Sequence, residues 1–142
     1  MTLAIRRVQV WSGEIPDRPG AAAAKLEQLA HAGADLEFVF TRPSRANAHT
    51  SNLFIAPITG PEQIKAARVA GLGPALDVAM LCVEGNNRAG ISYDIMSRLA
   101  VAGINLRGIS ISALGGRFNA YLAFENADVA TQALQVLATL AD

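Results

Sequence analysis

Asp17-Arg-Pro-Gly-x8-Leu29-Ala-His-Ala-Gly33-Ala-Asp35-Leu36 returns seventy positions later as Asn87-Arg-Ala-Gly-x8-Leu99-Ala-Val-Ala-Gly103-Ile-Asn105-Leu106. The two stretches align without a gap over twenty residues. Each reads as a polar loop, a helix and the start of a strand. The chain therefore carries an internal duplication: two copies of one small unit, and of any site built on it.

Reading outward from the first copy, Ile5 to Trp11 has the apolar content of a strand, with Ile5, Val8 and Val10 among its positions. Ser12 to Pro19 reads as a polar loop. Asp17 occupies the place of an N-cap, and Pro19 that of a first-turn proline. The alanine-rich Gly20–Ala32 stretch favours helix and Gly33 stops it. Leu36, Phe38 and Phe40 alternate as the inner face of a strand. Thr41 to Thr50 reads as a hairpin loop and Leu53 to Ile58 as the returning strand. A second helix runs from Gly60 to about Ala70.

The second copy repeats this order. Val78 to Val83 is an apolar strand of the kind buried on both faces. Glu84 to Arg88 is its loop, and Ile91, Ile95, Leu99 and Ala102 stripe its helix. Gly103 ends that helix. Ile109 to Ser112 alternates, Leu114 to Arg117 turns, and Asn119 to Phe124 returns. Asp128 is placed to cap a last helix ending near Leu140. Strand, helix, strand, strand, helix in each copy points to an α+β fold with helices on one face of an antiparallel sheet, the ferredoxin-like layering.

Composition narrows the function. The chain has 142 residues, 51% hydrophobic and 17% charged, with zero formal net charge. A buried globular protein fits; a nucleic-acid partner or an anionic membrane has no electrostatic support. The aromatic pairs that RNA-binding sheets place on their middle strands are also missing from this reading. Cys82, the single cysteine, excludes an intrachain disulfide and gives no thiolate metal cluster. No leader is legible at the N-terminus and no run reaches the ~20 apolar residues of a membrane span, so a cytoplasmic protein is expected.

The motif Asp17-Arg-Pro-Gly-x8-Leu-x2-Ala-Gly-x-Asp-Leu resembles the ACT domain family. Asn87-Arg-Ala-Gly through Gly103-Ile-Asn-Leu-Arg-Gly-Ile-Ser is still more similar to it. The resemblance implies two βαββαβ-type units in tandem, over residues 1–72 and 77–142. It also implies a regulatory module that binds amino acids and has no catalytic role or cofactor of its own. One departure stands out. Neither copy shows the fourth strand that follows the second helix in that family. The copies would then complete one another, or a second chain would supply an edge, and a homodimer is expected.

In ACT modules that bind amino acids, the loop before the first helix and the polar residue after its closing glycine commonly supply ligand contacts. The resemblance places that role on Asn87, Gly90 and Asn105 in the second copy, and on Asp17, Gly20 and Asp35 in the first. The chemistry is consistent with this. A zwitterion needs donors, which a helix N-terminus offers, and acceptors, which short polar side chains offer. The amides of Asn87 and Asn105 both donate and accept, which suits a neutral amino acid. Ionised Asp17 and Asp35 only accept, which suits a cationic one.

Plainer roles exist for each residue: capping for Asp17 and Asn87, helix termination for Gly33 and Gly103, turn formation for Asp35 and Asn105. Glu14 and Glu84 match in register and read as exposed loop residues. His31, His49, Cys82 and Trp11 read as packing or loop residues, with no second His or Cys at metal spacing. Nothing assembles a nucleophile, a base and an oxyanion donor.

The leading expectation is a non-catalytic amino-acid sensor. Its ligand would lie at an inter-unit or inter-chain interface, and it would act on a partner enzyme in trans. The alternative is a structural or interaction module with vestigial sites. A small isomerase or mutase on the same fold would need an acid–base pair that the sequence does not display.

Overall fold

The computed structural model describes residues 3–141. Its elements run β1 (Ala4–Val8), β2 (Trp11–Pro16), α1 (Ala21–His31), β3 (Phe38–Pro43), β4 (Thr50–Ala56), α2 (Gly60–Val69), β5 (Gly73–Pro74), β6 (Ala79–Asn86), α3 (Ile91–Val101), β7 (Gly108–Leu114), β8 (Arg117–Phe124) and α4 (Ala127–Leu137). They form two antiparallel four-stranded sheets, β3-β4-β2-β5 and β1-β6-β8-β7. The fold class is α+β with two βαββαβ-type units.

The chain divides into a first unit, Gln9–Ala75, and a second made of Leu76 onward together with the N-terminal segment through Val8. This corrects the expected grouping of residues 1–8 with the first copy. Ile5–Trp11 is not one strand. β1 ends at Val8 and pairs with β6, from Ala4 opposite Glu84 to Val8 opposite Met80. β2 begins at Trp11 and pairs with β4 in the other sheet. Both pieces have strand-forming residues, and local periodicity carries no information about which sheet receives them.

The missing fourth strands are thereby supplied from within the chain. β1 completes the second unit. The two-residue β5 completes the first, with Gly73 opposite Ser12 and Pro74 opposite Trp11. Gly13 is a glycine because the chain between α2 and β5 crosses it closely. A Cβ there would sit 2.7 Å from both the Gly71 carbonyl oxygen and Leu72 Cδ2.

Each unit has its own core. In the first, Trp11, Ile15, Leu53 and Ile55 from the sheet meet Ala21 and Leu29 of α1 and Ala67 of α2. In the second, Leu81, Val83, Phe118 and Leu122 meet Ile91, Ile95 and Leu99 of α3 and Ala133 and Leu137 of α4. Met80 to Val83 are buried without a break, as an apolar central strand requires.

The helices stop as expected. Gly33 and Gly103 have φ of 81° and 74°. Each lies in a pair of bonds characteristic of the Schellman motif, Gly33 N–H to Ala30 O with Ala34 N–H to Leu29 O, and Gly103 N–H to Ala100 O with Ile104 N–H to Leu99 O. The last helix starts differently from expectation. Asn126, not Asp128, is its cap, with the side-chain oxygen accepting from Val129 N–H at 2.9 Å.

Two strand assignments also change. Glu14 and Glu84 lie in β2 and β6 instead of in loops. Phe38 and Phe40 do alternate, but they face away from the helices. Register sets Val39 opposite Ile55, a core residue, and Phe40 opposite Phe54 on the other side of the sheet. Alternation identifies residues that share a face and is silent on which face is covered.

Candidate functional site

The loops before α1 and α3 are built alike. Ala21 N–H donates to Arg18 O, and Ile91 N–H to Arg88 O, both at 3.3 Å. Gly20 (φ 84°, ψ −9°) and Gly90 (φ 87°, ψ −2°) hold the third position of these four-residue turns. Those angles define a type II turn, in which a residue other than glycine is strained at the third position and proline is favoured at the second. Pro19 is therefore a turn residue ahead of the helix. Asp17 and Asn87 are not N-caps. The capping positions are Gly20 and Gly90, and neither helix has a side-chain cap.

Asp17 and Asn87 are fixed by their backbones to the neighbouring hairpin. Asp17 N–H donates to His49 O at 2.9 Å, and Asn87 N–H to Gly116 O at 2.8 Å. All of Asp17 to Gly20 and Asn87 to Gly90 are exposed. Each site thus presents an exposed turn, a polar side chain, and first-turn amides that have no partner within the helix.

Asp35 and Asn105 lie elsewhere. Both are exposed and follow the closing glycines, at the far ends of α1 and α3 from Asp17 and Asn87. An 11-residue helix is about 16 Å long. Within one unit the structure does not bring the two halves of the expected site together. Asn105 instead lines a shallow cavity of about 170 Å³ with Gly103, Ile104, Arg107, Glu125, Val129 and Gln132.

Two residues at the start of α3 were not singled out by the sequence. Arg88 donates through Nη2 to Asp94 Oδ2 at 2.7 Å and to the Ala141 carbonyl at 3.2 Å. Asp94 sits in the first turn of α3, where a carboxylate is favoured by the helix dipole. The first copy has Ala24 at the matching place, and no acid in the first turn of α1. An Arg–Asp pair spaced six apart across a turn has no local signature in sequence. It appears only once the turn is folded.

The remaining candidates have structural settings. Trp11 is buried with the Arg68 guanidinium 5.5 Å from its ring centroid. Cys82 is buried, with its sulfur 3.7 Å from Asn119 Nδ2. His31 is exposed at the end of α1. Among the described residues, no helix is long and apolar enough to cross a membrane.

Two sheets of this order, each with its strand, type II turn and helix, define a tandem ACT fold. The particular proteins it resembles are these. Protein BT0572 from Bacteroides thetaiotaomicron matches at a TM-score of 0.76 and 15% identity, over 92% of this chain and 88% of that one. The ligand-free regulatory subunit of aspartate kinase from Thermus thermophilus matches at 0.63 and 19%, over 99% and 98%. Its counterpart from Thermus flavus matches at 0.60 and 19%, over 96% and 95%. No family model matches the sequence, and no curated protein matches it.

Proposed function

We propose that this chain is a non-catalytic regulatory protein that senses a free amino acid through its second unit. The observation that carries this reading is the start of α3. There an exposed type II turn, the Asn87 amide, the Arg88 guanidinium and the Asp94 carboxylate stand together at a helix N-terminus. A zwitterion needs both charges answered. Arg88 and the first-turn amides suit its carboxylate, and Asp94 with the Asn87 oxygen suits its ammonium. The whole-length likeness to an aspartate kinase regulatory subunit supports a regulatory role exercised on an enzyme in trans.

Asn87 and Asn105 stand at opposite ends of one helix, so a ligand that touches both must lie between two chains. The proposal therefore includes a homodimer, with Asn87 and Gly90 from one chain and Asn105 from the other. Asp17, Gly20 and Asp35 would form the corresponding first-unit site, fitted to a cationic guest. Placement in the cytoplasm completes this reading.

Isothermal titration against each of the twenty amino acids tests it. Saturable heat from one neutral amino acid is expected, weakened about tenfold or more by Asn87→Ala, the loss of roughly one charge-assisted hydrogen bond. No heat from any amino acid would overturn the proposal.

A further inference from the structure

We infer that the cavity beside Asn105 receives the side chain of the bound amino acid, and that this side chain ends in a carboxamide, as in glutamine or asparagine. The assignment takes the amino-acid reading above as its premise, because Asn105 belongs both to the proposed ligand site and to the cavity.

The cavity lies wholly within the second unit. Its walls are the segment between α3 and β7, the residue just past β8, and one face of α4. Backbone bonds hold these walls in place. Ile104 N–H donates to Leu99 O at 2.9 Å and Arg107 N–H to Ala123 O at 2.8 Å, while the Asn126 cap fixes the start of α4. On α4, Val129 and Gln132 are three apart and so share a face. Ile104 and Val129 are half-buried and pack against the core, which gives the cavity an apolar part. Its volume is about 170 Å³. A cavity of about 150 Å³ holds a benzene ring, so there is room for the end of one long side chain.

The polar lining is Asn105, Arg107, Glu125 and Gln132, all exposed. Arg107 only donates, ionised Glu125 only accepts, and the two amides do both. Among the described residues, none of these four side chains takes part in a hydrogen bond or an ion pair. An arginine and a glutamate thus line one cavity without neutralising each other. A side chain bound there meets a fixed donor and a fixed acceptor at once.

A carboxamide answers both: its oxygen accepts from Arg107 and its NH2 group donates to Glu125. A carboxylate would set a like charge against Glu125, and an ammonium against Arg107. An aliphatic side chain would take all four polar groups from water and give them no partner. A hydroxyl has one atom to serve both charges, on a shorter stem. The first copy has Asp35 and Glu37 in register with Asn105 and Arg107. That segment carries two acids and no cation, so the set fitted to a carboxamide belongs to the second copy.

Isothermal titration of the full chain against the twenty amino acids tests this, with the two amides, their parent acids and lysine as the deciding probes. Glutamine or asparagine is expected to bind tightest, at least about tenfold tighter than its parent acid or lysine. Glu125→Gln removes the repulsion of a carboxylate and should narrow the gap between the preferred amide and its parent acid about tenfold. Arg107→Gln removes the repulsion of an ammonium and should narrow the gap to lysine by a similar factor. A merely structural role for either residue would weaken all ligands together and leave these ratios fixed. Tightest binding by an amino acid without a carboxamide overturns the assignment and leaves the amino-acid reading standing. Ratios that neither variant moves do the same. No heat from any of the twenty overturns both.

Discussion

The two units share a frame and differ on two surfaces. In both, a strand enters a type II turn, a glycine at positive φ starts an 11-residue helix, and a Schellman glycine ends it. On the sheet faces turned away from the helices, the first unit has Phe38, Phe40, Phe54 and Arg42 where the second has Ser110, Tyr121 and the Glu84–Asn119 contact. At the helix starts, the second unit has the Arg88–Asp94 pair, and the first has only alanines after its turn. Backbone-determining positions have been kept while exposed positions have diverged. This is the pattern expected if the second unit is fitted to a neutral amino acid and the first to a different guest.

The largest effect that would break this comparison comes from the strand that the second unit takes from the N-terminus. Deleting residues 1–8 should remove the β1–β6 pairing and the burial of Leu3 and Val8. The second unit should lose about 3 kcal/mol or more. Hydrogen exchange should show lost protection in β6 and β8, with β2 and β4 unchanged. Equal loss in both sheets would mean that the units do not fold as described.

A smaller and matched effect is expected at the two turns. Gly20→Ala and Gly90→Ala meet no obstructing atom, so the cost is backbone strain alone, about 1–2 kcal/mol each by urea denaturation. A difference between the two well outside that range would show that the turns are not equivalent. The smallest effect belongs to the helix starts. Arg88 and Asp94 are each 37% exposed, so solvent screening limits the loss on Asp94→Asn to under about 1 kcal/mol of stability. The same substitution should weaken amino-acid binding far more than it weakens the fold. If binding is untouched, the start of α3 is not the ligand site.

Much of the frame was legible in residue types. The duplicated Gly33 and Gly103 read directly as helix stops because αL backbone is where glycine has no competitor. The helix starts were misread for a local reason. Asp17 and Asn87 are good capping residues by type, but Pro19-Gly20 is also the central pair of a type II turn, and the turn takes the position a cap would have used. The exchange of β1 into the other sheet could not be read at all, because five strand residues do not encode their partner. The Phe38–Phe40 alternation showed a shared face without showing that the helices lie on the opposite side. Of the candidate site, the loop residues were legible. The Arg88–Asp94 pair and the separation of Asn87 from Asn105 depend on the folded turn and the length of α3.

The central claim is that the two units, built alike, are used differently. Titrating ¹⁵N-labelled protein with the amino acid that gives calorimetric heat, and following backbone amide shifts, tests it most directly. The account predicts saturable shifts at Asn87 to Ile91 and at Asn105, with Asp17 to Ala21 unmoved. Saturable shifts confined to Asp17 to Ala21, or equal shifts in both turns, would contradict it.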